Sequence, residues 1–194
     1  MSNWPLMLQP LAKYAEFNGR SRRSEFWLWI LFRILLGMAL GTVALMTVFS
    51  GINFEHPEPE QFMGRYFTIM PLFSLINIGL FIPTLAVAVR RLHDIGRTGW
   101  WIVMPIVVMV VGMTLFFIIF GTQLFPLITS GQEHMSDEQG LKFVMTMFGS
   151  MFLCVFLPIL IAEIVMLVFY VTEGKRGPNR FGNDPKGPAL NDTP

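Results

Sequence analysis

The chain has 194 residues, of which 53% are hydrophobic and only 14% are charged. Soluble domains carry about 25% charged residues, so the composition excludes an ordinary soluble domain and indicates a protein that lies in a lipid bilayer. The formal net charge is +1, and the single cysteine, Cys154, excludes a disulfide framework and a thiolate metal site.

Residues 1–25 precede the first long apolar run. Apolar side chains between Leu8 and Ala15 recur at helical spacing, which favours a short helix lying on the membrane surface. Pro5 and Pro10 favour a loosely ordered tail instead, because proline interrupts helices. The composition of this segment supports both interpretations equally.

Four apolar segments then follow, each long enough to cross a membrane. A spanning helix needs about 20 mostly apolar residues, whereas a barrel strand has about ten residues of alternating polarity. The sequence therefore predicts an all-α, polytopic membrane protein with four transmembrane helices in residues 26–174. The predicted spans are 26–49, 67–89, 100–120 and 143–171, and residues 175–194 are predicted to form a turn-rich cytoplasmic tail.

The basic residues are unequally distributed between the two predicted sides of the membrane. Eleven of them flank the spans on the side of both termini, and two, Arg65 and Lys142, lie in the opposite connections. Basic residues near span ends stay in the cytoplasm, so both termini are predicted to be cytoplasmic. Interfacial tryptophans are then expected at the inner surface: Trp27, Trp29, Trp100 and Trp101.

Three polar motifs fall on this predicted cytoplasmic side and are expected to meet in space. They are Gly19-Arg20-Ser21-Arg22-Arg23-Ser24-Glu25-Phe26-Trp27, Val89-Arg90-Arg91-Leu92-His93-Asp94-Ile95-Gly96-Arg97-Thr98-Gly99-Trp100-Trp101 and Gly177-Pro178-Asn179-Arg180-Phe181-Gly182-Asn183-Asp184-Pro185. In these motifs and their order, the chain resembles the bacterial inner-membrane family catalogued as domain of unknown function 805. The resemblance implies a small helical inner-membrane protein and implies no activity, so no catalytic residue is transferred from it.

The arginines of the three motifs suggest a basic pocket at the depth of the lipid headgroups. Guanidinium groups suit phosphate, and basic clusters between helices bind anionic headgroups. The alternative is that these arginines only determine the orientation of the spans. The candidate residues for an anionic ligand or a structural cap are Arg20, Arg22, Arg23, Arg90, Arg91, His93, Asp94, Arg97, Asn179, Arg180 and Asp184.

His93 and Asp94 are of the residue types that form a proton relay, a metal pair or an oriented general base. Adjacent helical residues do not face each other, so a structural role for His93 is preferred. Asp94 is expected to pair with Arg90 or Arg97, or to cap a turn. No metal site is predicted, because His56 and His134 belong to the opposite side of the membrane.

Two charges lie inside predicted spans, Arg33 in the first and Glu163 in the fourth. Their distances from the inner helix ends match, and charges at such depth are usually paired or functional. A buried ion pair between them is one hypothesis. The other is that Arg33 extends toward the headgroups, while Glu163 is protonated or bonded to Asn77 or a threonine.

The sequence thus predicts an integral inner-membrane protein, and the leading interpretation is a non-enzymatic adaptor or envelope component. Its arginine-rich cytoplasmic face would bind anionic phospholipid headgroups or a partner protein. A small oligomeric transporter or channel subunit is the first alternative, and an enzyme acting on lipid headgroups is the second. No cofactor and no nucleic-acid partner are expected, and a homo-oligomer is left open.

Overall fold

A computed structural model describes residues 4–50, 59–129 and 136–187 of the chain. Four helices in these ranges are long and apolar enough to cross a membrane, namely Arg23–Phe49, Phe62–Asp94, Gly99–Pro126 and Asp137–Val171. The described residues contain no strand beyond one isolated bridge between Asn179 and Gly182. The predicted all-α fold with four membrane spans is therefore confirmed.

The chain divides into two units, which are described separately. The first consists of Met1–Gly99 and Glu173–Pro194, and the second of Trp100–Thr172. The first unit is thus discontinuous in sequence, because its last residues follow the whole of the second unit.

The first unit begins with α1 (Gln9–Ala12), which contains only four residues and packs against the two long helices that follow. Pro10 lies at the start of α1 and is buried. Tyr14 donates a hydrogen bond of 2.6 Å to the main-chain oxygen of Gly79, well inside the second long helix. The N-terminal segment therefore contains a single helical turn and is bonded to the long helices of its own unit.

The two long helices of the first unit are α2 (Arg23–Phe49) and α3 (Pro59–Asp94). At about 1.5 Å per residue, α3 is about 54 Å long, well beyond the ~30 Å hydrocarbon layer. The predicted second span, 67–89, is extended at both ends. Arg90 to Asp94, which follow the predicted span, form the last turn of α3.

The core between α2 and α3 is centred on Trp29, whose side chain has no exposed surface. The indole Nε1 donates to Thr84 Oγ1 at 3.1 Å. Trp29 was expected at the membrane interface, but the polar partner on α3 allows the whole ring to be buried between the helices.

A 3₁₀ turn (Gly99–Val103), whose residues from Trp100 onward belong to the second unit, leads into α4 (Met104–Thr129). The remaining helix of this unit is continuous over 35 residues and consists of α5 (Asp137–Met151), a π-helical turn (Phe152–Phe156) and α6 (Leu157–Val171). Ser136 and Gln139 form a capping box at its start, which explains why this helix begins before the predicted residue 143.

Helix α4 approaches the π-helical turn closely at Gly112. A Cβ atom at this position would lie 2.1 Å from the main-chain oxygen of Cys154, so only glycine permits the contact.

Several acidic and histidine residues of the connections on the opposite side of the membrane lie outside the described residues, namely Glu55, His56, Glu58, Glu133 and His134.

Candidate functional site

The three polar motifs meet at the end of the first unit where α3 finishes. We call this cluster the arginine cap, and it comprises residues 19–25, residues 90–97 and residues 174–186. Its framework is the end of α3, where Gly96 adopts a positive φ of 79°. The N–H groups of Gly96 and Arg97 donate to the oxygens of His93 and Leu92, the pattern of a glycine-terminated helix.

Asp94 is the central anion of the arginine cap and is buried. Its Oδ1 accepts a hydrogen bond from Nε of Arg20 at 2.9 Å, and Nη2 of Arg20 forms an ion pair with the same oxygen at 2.9 Å. Its Oδ2 accepts from Nη1 of Arg91 at 2.6 Å. One carboxylate therefore pairs with two buried guanidinium groups, neither of which is the predicted partner Arg90 or Arg97.

Arg20 connects Asp94 to the C-terminal segment. Its Nη1 donates to the oxygen of Gly177 at 2.6 Å, and its Nη2 donates to the oxygen of Lys175. The N–H of Lys175 in turn donates to the main-chain oxygen of Asp94 at 3.0 Å. Gly174 permits this approach, because a Cβ there would lie 2.0 Å from the Asp94 carboxylate.

Arg90 joins α3 to the N-terminal segment. Its guanidinium is buried, with Nη2 3.4 Å from Glu25 Oε1 and Nη1 donating to the oxygens of Lys13 and Glu16. The oxygen of Arg90 accepts from the N–H of Ser21 at 3.1 Å. These contacts make Arg90 a structural residue of the arginine cap.

His93 is held by both flanking motifs. Its Nδ1 lies 3.2 Å from the oxygen of Gly19, and because a carbonyl only accepts, Nδ1 is the protonated nitrogen in this contact. The imidazole stacks on Phe181 with centroids 4.0 Å apart and planes 4° from parallel. The main-chain oxygen of His93 also accepts from Nδ2 of Asn179 at 3.0 Å. As the sequence argument indicated, His93 and Asp94 have separate partners.

As far as Gly187, the C-terminal segment forms a compact series of turns. Asp184 accepts from the N–H groups of Lys186 and Gly177, each at 2.9 Å. These two main-chain bonds hold the pKa of Asp184 below its ordinary value. Arg180 lies over the ring of Phe181, 4.6 Å from its centroid, and its Nη2 donates to the oxygen of Gly96 at 3.5 Å.

The remaining predicted arginines lie toward the surface of the arginine cap. Arg22 is half-buried and Arg97 is exposed. Arg23 lies 3.8 Å from Glu173, an exposed carboxylate that also lies 3.8 Å from Lys186. The structure thus separates the predicted cluster into buried arginines bonded within the unit and peripheral arginines that solvent or lipid can reach.

A cleft of about 300 Å³ opens beside Asp94, between the end of α3 and the C-terminal segment. His93 is not among the residues that line it. Its cationic lining residues are Lys175, Arg176 and Lys186, and its anionic lining residues are Asp94, Glu173 and Asp184. Arg20 and Arg91 compensate the charge of Asp94. Glu173 is therefore the exposed carboxylate among the residues that line the cleft.

The intramembrane residue Arg33 is bonded to α3. Its Nη1 donates to Leu80 oxygen at 3.1 Å and to Thr84 Oγ1 at 2.9 Å, and its Nη2 donates to Asn77 Oδ1 at 3.3 Å. The guanidinium is therefore satisfied within the first unit. Glu163 belongs to the second unit, and its pairing with Arg33 stays a hypothesis.

The described residues contain no group of three or more histidine, cysteine, aspartate or glutamate side chains arranged to bind a metal ion.

The sequence did not predict that Glu25 is the carboxylate partner of Arg90, although Glu25 lies within the first motif. Lys175 was counted only as a positive charge, whereas its main chain also bonds to Arg20 and Asp94. Such backbone contacts have no signature in the sequence.

Comparison with known proteins places the chain among bacterial membrane proteins. Inner membrane protein YhaI of Escherichia coli (strain K12) is 28% identical over 179 residues, which cover 92% of this chain and 93% of the relative. Inner membrane protein YhaH of the same strain is 32% identical over 94 residues, or 48% of this chain and 66% of the relative. Uncharacterized protein YiiR of that strain is 30% identical over 92 residues, or 47% of this chain and 50% of the relative.

No solved structure matches the chain. The family described as protein of unknown function DUF805 matches residues 14–183, a range that includes nearly the whole arginine cap. The resemblance predicted from the three motifs is therefore confirmed, and the chain belongs to the DUF805 family.

Proposed function

We propose that the protein is a non-enzymatic component of the bacterial inner membrane whose arginine cap faces the cytoplasm and binds anionic phospholipid headgroups. Two relatives are named inner membrane proteins, and four helices of the chain are suited to spanning a bilayer. The excess of basic residues at the arginine cap supports the cytoplasmic orientation, because basic residues flanking spans are retained on that side.

The buried arginines serve as the scaffold of this face rather than as its binding groups. Arg20, Arg90 and Arg91 donate hydrogen bonds to Asp94, Glu25 and main-chain oxygens, and among these guanidinium groups Nε of Arg90 is buried without a partner. A charged group that is buried and bonded in this way is not available to a ligand without losing those bonds. Lipid binding is therefore assigned to the exposed cations around them.

The observation that carries the proposal is the cleft beside Asp94. Lys175, Arg176 and Lys186 line it, and all three are exposed. A cleft of about 300 Å³ accommodates a phosphate group with part of its glycerol. Clusters of cations at the cytoplasmic surface attract anionic headgroups by about 1 kcal/mol per residue.

His93 is given a structural role in this proposal. Its imidazole ring stacks on Phe181, and its Nδ1 bonds to the main-chain oxygen of Gly19, so both contacts are made within the protein. A general base requires access to a substrate proton, and the cleft is lined by other residues.

The proposal is tested by native mass spectrometry of the full chain, released from mild detergent after incubation with phosphatidylglycerol. The double variant Arg176→Gln, Lys186→Gln is expected to retain one phosphatidylglycerol fewer than the original chain. Lys142→Gln is the matched control, because Lys142 is an exposed cation of the other unit that is paired with Glu138, and it should retain the original number. Equal retention by the double variant would exclude lipid binding in the cleft.

A further inference from the structure

A second groove lies in the first unit, far along α3 from the arginine cap. It is formed by α2 and α3, has a volume of about 370 Å³, and is lined by Thr47, Gly64, Arg65, Thr68 and Ile69. We call it the Arg65 groove. None of these residues belongs to the arginine cap.

We propose that the Arg65 groove binds the headgroup of an anionic phospholipid in the leaflet opposite the arginine cap. The first support is an unsatisfied donor. Nη1 of Arg65 is buried and has no hydrogen-bond partner. A buried charged donor without an acceptor is costly, and a phosphate oxygen supplies the acceptor that is lacking.

The position of Arg65 along α3 fits a headgroup. Arg65 precedes Asp94 by 29 residues in the same helix, which is about 44 Å at 1.5 Å per residue. A bilayer with its headgroup regions is about 40–45 Å thick. When Asp94 lies at one headgroup layer, Arg65 therefore lies near the other.

The walls of the groove are suited to a lipid oxyanion. Thr47 and Thr68 donate their hydroxyl protons to the oxygens of Val43 and Gly64 in their own helices, so Arg65 supplies the free donor. Ile69 adds an apolar wall, which suits the glycerol and the first part of an acyl chain. This apolar wall favours a lipid over free phosphate.

Gly64 leaves the groove open. A Cβ at this position would meet no atom within 4 Å, so a larger side chain there is accommodated and occupies space that the ligand would use. The groove can thus be blocked while Arg65 is kept, which separates the loss of the ligand from the loss of the charge.

The experiment places the full chain in nanodiscs with a photoactivatable phosphatidylglycerol and maps the crosslinked peptides. We expect labelling within residues 62–69 of the original chain. Arg65→Gln and Gly64→Leu should each reduce that labelling at least tenfold, since a charge-assisted contact contributes about a factor of ten or more. Lys142→Gln should label as the original chain does, and Arg65→Lys should retain part of the labelling.

The result is independent of the proposal for the arginine cap. The double variant Arg176→Gln, Lys186→Gln should keep its labelling at residues 62–69, so either site can fail alone. Labelling unchanged in Gly64→Leu would overturn the inference even if Arg65→Gln fails to fold. Excess inorganic phosphate that abolishes the labelling would identify a free anion as the ligand, and equal labelling by a phosphatidylcholine probe would show contact with bulk lipid only.

Discussion

Asp94 is the residue on which the arginine cap depends. Its carboxylate is bonded to Arg20 and Arg91 while its main-chain oxygen is bonded to Lys175. Each ion taken out of water carries a desolvation cost of several kcal/mol, which only a close partner offsets. Two buried guanidinium groups therefore rely on a single buried carboxylate.

Asp94→Asn should destabilise the protein by roughly 3–5 kcal/mol, because it leaves two buried cations without their counter-charge. The measurement is the temperature at which detergent-solubilised protein is lost from its gel-filtration peak. Glu173→Gln is the control, since Glu173 is 60% exposed and lies 3.8 Å from its cations, and exposed pairs contribute about 0–1 kcal/mol. Equal midpoints for the two variants would contradict the central role of Asp94.

For individual residues, the sequence predicts which positions belong to the arginine cap better than it predicts their hydrogen-bond partners. The density of arginine, histidine and aspartate between apolar runs identifies the three motifs, because such groups are costly near lipid without a purpose. Several acceptors of the buried arginines are main-chain oxygens, of Lys13, Glu16, Lys175 and Gly177. Every residue has such an oxygen, so only the fold selects among them.

Among the elements, the long helix of the second unit is distinguished by its π-helical turn at Phe152–Phe156. Such a turn changes the direction of main-chain groups within an otherwise regular helix. The oxygen of Cys154 in this turn lies where a Cβ of residue 112 would be. Gly112 therefore determines how closely α4 packs against this helix.

Gly112→Ala should destabilise the second unit by about 1–3 kcal/mol, the usual cost of forcing an additional carbon into a packed contact. Gly121→Ala in the same helix is the matched control, because a Cβ at residue 121 meets nothing within 4 Å. Thermal unfolding in detergent compares the two variants with the original chain. Similar midpoints for both variants would show that the contact at Cys154 is not tight.

Helix number and helix type follow from hydropathy, whereas helix ends do not. Apolar runs of about 20 residues predict the four spans, but α3 continues through Arg90 to Asp94. These polar residues remain helical because their side chains are bonded within the unit and Gly96 ends the helix at a positive φ. Hydropathy alone records the apolar part of a helix.

For the whole molecule, the unequal distribution of basic residues predicts that both termini are cytoplasmic. Green fluorescent protein fused after Pro194 should fluoresce, because it matures in the cytoplasm. Alkaline phosphatase inserted after Glu55 or Glu133 should be active, because that enzyme requires export. The opposite pattern would place the arginine cap outside the cytoplasm and overturn the proposed cytoplasmic binding of lipid. The proposal for the Arg65 groove would be unaffected, because it depends only on the leaflet opposite the arginine cap.

The discontinuity of the first unit has a consequence for biogenesis. Arg20 leaves the ribosome early, whereas its acceptors at Lys175 and Gly177 are synthesised only after residues 100–172, which form the second unit. During translation, Nη1 and Nη2 of Arg20 therefore lack these two acceptors until Lys175 and Gly177 have been synthesised. The bonds of Arg20 within the arginine cap can therefore be completed only in chains translated through Gly177.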